Sequence, residues 1–94
     1  MKIRVTRDEI DRGDRYRSRS CPVALAVSKV LKEGVMVTVG PNYFTVFGKM
    51  EGASICEVIK FGQEVAEFIR DFDGGEKVYE SEFEVNIPNK YLNT

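Results

Sequence analysis

Arginine occupies positions 12, 15, 17 and 19, inside the run Arg12-Gly13-Asp14-Arg15-Tyr16-Arg17-Ser18-Arg19-Ser20. A guanidinium is a planar, permanently charged fork that grips phosphate or carboxylate through two parallel hydrogen bonds. Tyr16 adds a ring able to stack on a base, and Ser18 and Ser20 add hydroxyl donors. The run leads into Ser20-Cys21-Pro22, a helix-start signal in which Ser20 can cap and Pro22 sits where its missing N–H is not needed. A helix N-terminus has free amides and about half a positive charge, which favours an anion. The candidate ligand-binding set is therefore Arg12, Arg15, Arg17 and Arg19 for phosphate, Tyr16 for a base, and Ser20 and Cys21 through their amides. Three readings stay open at this level. The loop binds a phosphorylated small molecule such as a nucleotide, it contacts a protein partner, or it is solvated charge. In the last case Asp11, Asp14 or the Glu80/Glu82/Glu84 strand would pair with it, at ~0–1 kcal/mol for each exposed pair.

Other chemistry is scarce. The chain has no histidine, which rules out Ser-His and Cys-His nucleophile pairs and removes the commonest metal ligand. Cys21 and Cys56 are far apart and lack a C-x-x-C neighbour, so neither zinc nor a disulfide framework is expected. A thiol at a helix start beside arginines can be acidified, but the plainer reading of Cys21 is a small buried residue. Asp71 and Asp73 flank a helix C-terminus, and Glu80, Glu82 and Glu84 alternate as the wet face of a strand. The residues point to binding, with no cofactor or metal, rather than to catalysis. Arg12-Gly13-Asp14 matches an integrin-type triplet by coincidence. Duplex DNA is a poor partner for a chain of net charge −1 and pI near 5.5.

These residues must be positioned by a single domain spanning 1–94, since 94 residues supply one core. Hydrophobic residues at 43% and charged residues at 31% are ordinary globular proportions. No run reaches the ~20 apolar residues of a membrane helix. Met1-Lys2-Ile3-Arg4 turns charged too early for a signal peptide, so a cytoplasmic location is expected. Charge is uneven: residues 1–33 hold nine Lys/Arg against five Asp/Glu, and residues 34–94 hold five against ten. Such a split suits a basic site on an acidic body.

Lys2-Ile3-Arg4-Val5 alternates as a strand, and Thr6-Arg7-Asp8-Glu9 is a capping box opening a short turn that ends near Gly13. Residues 14–19 read as an exposed loop. A helix follows from Pro22; Val23 to Val27 are apolar all round, Lys29 and Lys32 suit its end, and Gly34 can cap it. Residues 35–39 and 43–47 form a hairpin across Gly40-Pro41-Asn42, and residues 54–60 add a third strand. Val65, Phe68, Ile69 and Phe72 share one helix face, stopped by Gly74-Gly75. Tyr79, Ser81, Phe83, Val85 and Ile87 alternate with Glu80, Glu82, Glu84 and Asn86 as a last strand before Pro88. The expected fold is α+β in two layers, β-α-β-β-β-α-β, with a mainly antiparallel sheet and two helices on one face. Exposed strands in so small a domain also suggest a homodimer.

Ile10-Asp11-Arg12-Gly13, the basic loop, Cys21-Pro22-Val23-Ala24-Leu25-Ala26, Val37-Thr38-Val39-Gly40 and the Asp73-Gly74 helix stop together form a pattern. It resembles a group of small uncharacterised proteins encoded by bacteriophages and prophages, which share I-D-x-G, C-P-[VI]-A-L-A and V-x-V-G segments. Members often carry C-x-x-C-P, whereas Ser18 stands here where the first cysteine would be. The resemblance carries no activity. It implies only a phage accessory protein working in bacterial cytoplasm; a small protein of that kind without catalytic residues is expected to act by binding, in a host-modulating or counter-defence role. Its partner would be a phosphorylated small molecule, or else a host protein held by stoichiometric, anti-CRISPR-like inhibition.

Overall fold

The computed structural model describes residues 1–93. The elements are β1 (Lys2–Val5), α1 (Arg7–Arg12), α2 (Pro22–Ser28), β2 (Val35–Val39), β3 (Tyr43–Met50), β4 (Ala53–Lys60), α3 (Gln63–Asp73) and β5 (Ser81–Glu84), then a 3-10 turn at Asn89–Tyr91. The domain is α+β with antiparallel strands, as the alternation implied. Two details differ. The turn after Thr6 is a full helix, making three, and the strands form two sheets, β1-β5 and β2-β3-β4.

The meander β2-β3-β4 follows directly from alternation. Val35, Val37 and Val39 point inward, and β3 sets Val46 opposite Val37 and Phe44 opposite Val39, all of them buried. β4 continues with Ile59 opposite Phe44. The inward row packs on α2, whose Val23, Ala24, Ala26 and Val27 are all buried, as an all-round apolar helix requires. In the second sheet Ile3 pairs with Phe83, and Phe83 meets Phe68 of α3 edge-on at 5.6 Å. Outside, Lys2 faces Glu84 and Arg4 faces Glu82, opposite charges across a ladder.

α1 begins with the expected capping box. The Thr6 amide and hydroxyl each donate to Glu9 Oε1 at 2.8 Å. Glu9 also reaches Lys29 Nζ at 2.9 Å while only 1% exposed, so the cap doubles as a buried brace between α1 and the end of α2. α2 stops at Ser28, short of the expected Lys32, where the backbone turns to the C-terminal segment: the Lys32 N–H donates to Tyr91 O and Val30 O accepts from the Asn93 N–H. Residues 29–32 leave the helix and bring Leu31 into a bridge with Leu92. The last strand also departs from its pattern. Val78 is buried and Tyr79 is 66% exposed, whereas Phe83, Val85 and Ile87 face inward. Residues 76–80 are irregular, and the inward phase shifts by one residue before β5 begins.

Candidate functional site

The loop 14–20 is a closed structure. The Asp14 amide donates to Ser20 O at 2.9 Å, and Ser20 Oγ donates to Asp14 Oδ2 at 3.0 Å. Inside that clamp the Ser20 and Cys21 amides both donate to Arg17 O. Two outside bonds dock it: Val39 N–H of β2 donates to Ser18 O at 2.8 Å, and the Tyr16 amide donates to Asp73 Oδ1 of α3 at 2.9 Å. The base of the loop depends on Gly13, because a Cβ there would lie 2.6 Å from Pro22 Cδ. Only glycine lets α1 end against the first turn of α2.

The seven expected site residues do not converge on one point. Arg12 is turned back onto Asp8 one helical turn earlier, at 2.9 Å. Arg19 lies over the Phe47 ring of β3 at 5.2 Å. Ser20 is occupied by Asp14, and the Ser20 and Cys21 amides, expected to assist an anion, are already spent on Arg17 O. Cys21 is buried, and burial pushes its thiol pKa up despite the nearby Ala24 and Val23 amides. The plainer reading of that cysteine is the one the geometry favours.

Arg15, Tyr16 and Arg17 remain, and they form a ridge between two grooves. On one side Tyr16, Arg17 and Cys21 line a groove of about 300 Å³ with Val39, Ile69 and Asp73. On the other, Arg15 lines a groove of about 320 Å³ with Arg7, Lys77 and Glu76 over the apolar Ile10 and Phe72. The Arg15 guanidinium lies beside Gly75 at the end of α3, where free carbonyls favour a cation. Among the described residues, Arg15, Arg17 and Arg19 make no salt bridge, while Arg7 pairs with Asp11 at 3.0 Å. Arg7 and Lys77 carry no local signal in the sequence. They join Arg15 because Glu80, beyond α3, accepts the Arg7 amide at 2.7 Å and ties that connection to α1.

Tyr16 is the strained member. Its φ is 58°, in the left-handed region that disfavours any side chain, and the residue is 76% exposed. Packing therefore does little to repay the conformation; the clamp and the Asp73 bond hold it. Elsewhere, Glu9 is lowered to about 2: burial raises it, and the Thr6 bonds and Lys29 more than reverse that. Tyr91 is raised by its 2.6 Å bond to Glu57. The acidic strand is compensated, with Glu80 holding the Arg7 amide and Glu82 reaching diagonally to Lys2 Nζ at 3.6 Å. Among the described residues no carboxylate and thiol cluster could hold a metal ion, and no helix is long and apolar enough to cross a membrane.

Comparison with family models, with curated proteins and with solved structures yields no match to this chain.

Proposed function

We propose that the chain works by binding rather than catalysis, and that the Arg15–Arg17 ridge takes a small phosphorylated molecule, a nucleotide first among them. Tyr16 carries the reading. An aromatic residue held in a left-handed conformation, exposed between two arginines that make no salt bridge among the described residues, is costly to the fold, and that cost supports a ligand-binding role. Phosphate would meet Arg15 with Arg7 and Lys77 across the groove, and a base would stack on Tyr16 with Arg17 beside it. In line with the phage resemblance, such a protein would sequester a signalling or defence nucleotide in the cytoplasm of a bacterial host. An inhibitor of a host protein complex would use the same ridge, because the acidic strand is already paired.

The test is a thermal-shift series with inorganic phosphate, mononucleotides and cyclic nucleotides on the parent, Arg15→Ala and Tyr16→Gly. Ligand at 100 times its Kd adds about 2.7 kcal/mol, or about 10 °C or more in a domain of this size. Tyr16→Gly relieves the backbone, so that variant should melt no lower than the parent while losing the ligand shift. A shift that survives both substitutions refutes the ridge as the site. No shift with any of these ligands refutes the nucleotide reading and directs the search to a protein partner.

A further inference from the structure

Asp73 is the last residue of α3, and its charge runs against the helix. Free carbonyls at that end carry partial negative charge, which disfavours a carboxylate. The residue is half-buried and lines the groove of about 300 Å³ with Tyr16, Arg17, Val39, Pro41 and Ile69. Its Oδ1 accepts the Tyr16 amide at 2.9 Å, which is its one side-chain hydrogen bond among the described residues. Among those residues it forms no salt bridge, although Arg15 and Arg17 flank the residue whose amide it holds. Docking the loop needs one acceptor oxygen, and the neutral amide of an asparagine would supply it equally well. The fold therefore accounts for the oxygen and not for the charge. Oδ2 has no protein donor among the described residues and belongs to a groove with apolar walls.

We propose, resting on the nucleotide reading of the Arg15–Arg17 ridge, that Asp73 reads the base and makes the site selective for guanine. An ionised carboxylate only accepts hydrogen bonds. Guanine alone among the common bases sets two adjacent donors, N1–H and the N2 amine, on its pairing edge. Adenine and cytosine set a donor beside a ring nitrogen whose lone pair would meet the charge. Uracil sets one donor between two carbonyls. The Tyr16 amide ties Asp73 to the residue on which the base would stack, so ring and carboxylate are presented together. Arg17 lines the same groove and supplies a donor for the O6 carbonyl next to N1, where adenine carries an amine. Val39, Pro41 and Ile69 lower the local polarity, which strengthens a charge-assisted pair once water is displaced.

Calorimetric titration with guanosine, inosine, adenosine and xanthosine monophosphates tests this on the parent and on Asp73→Asn. The parent should bind the guanosine form best. Inosine lacks the N2 amine and should bind about tenfold more weakly, and adenosine about a hundredfold or more. In Asp73→Asn the amide oxygen can still accept the Tyr16 N–H, while the amide nitrogen becomes a donor. That variant should turn from guanosine to xanthosine, whose C2 carbonyl accepts where guanine donates. A purely structural Asp73 would not move this preference. A parent that binds the guanosine, inosine and adenosine forms alike overturns Asp73 as the base reader and leaves the nucleotide site standing. So does an Asp73→Asn protein that keeps the parent's order of preference. Binding of none of the four, or of inorganic phosphate just as tightly, overturns both readings. If Asp73→Asn fails to fold, the inosine and adenosine comparisons on the parent decide.

Discussion

Replacing Glu9 by glutamine tests whether one buried carboxylate braces the helical layer. Its oxygens take two bonds from Thr6 at 2.8 Å and the Lys29 ammonium at 2.9 Å, and the residue is 1% exposed. Those partners lower its pKa from 4.5 to about 2 against the pull of burial. At 1.36 kcal/mol for each step of pKa, the ionised form contributes about 3 kcal/mol to the folded state. The sign follows from the depressed value. The contribution is complete above the unfolded pKa of 4.5 and is lost as pH falls from there through about 2. Glu9→Gln should therefore cost about 3 kcal/mol at pH 7, or about 12–24 °C in melting temperature. The parent should lose the same amount on acidification, so the two proteins converge near pH 2. Urea denaturation followed by circular dichroism across pH 7 to 2 measures both curves. A gap between parent and variant that stays constant over that range would refute the reasoning, because the cost would then be packing rather than charge.

Two further outcomes follow from the geometry. Burial raises the Cys21 thiol while Cys56 is exposed, so a disulfide-exchange reagent should titrate one thiol in the folded protein and two after denaturation; Cys56→Ser should abolish the fast phase. Gly13→Ala pushes a methyl to within 2.6 Å of Pro22 and should cost about 1–3 kcal/mol in a denaturation curve. The same variant should weaken any ligand shift at Arg15, because the loop springs from that contact.

The parts of this fold that alternate or recur locally were legible in the residues. Val65 and Phe68 are buried and Ile69 and Phe72 half-buried on one face of α3, as their spacing requires. The hairpin Val35–Met50 has the register its valines dictate. Alternation gives the face of a strand and not its neighbour, so the division into two sheets lay beyond reach. At Tyr79 it misled outright, because the irregular stretch before β5 shifts the phase by one residue. The arginine run was visible as composition, yet a loop has no period from which to read direction. Arg12 and Arg19 take structural partners, and Arg15 gains Arg7 and Lys77 from elements distant in the chain. The buried role of Glu9 showed only its capping half, since Lys29 is its neighbour in space alone.

The pairing of β1 with β5 has a consequence for synthesis. Lys2 lies opposite Glu84 and Val5 opposite Ser81, so the first strand made has no partner until the fifth has been translated. The meander between them is built from short-range contacts and can form early. Ile3 and Val5, fully covered in the finished domain, stay uncovered meanwhile. At about 5–20 residues per second that interval is roughly 4–15 s, long enough for the exposed strand to meet a chaperone or a neighbouring nascent chain.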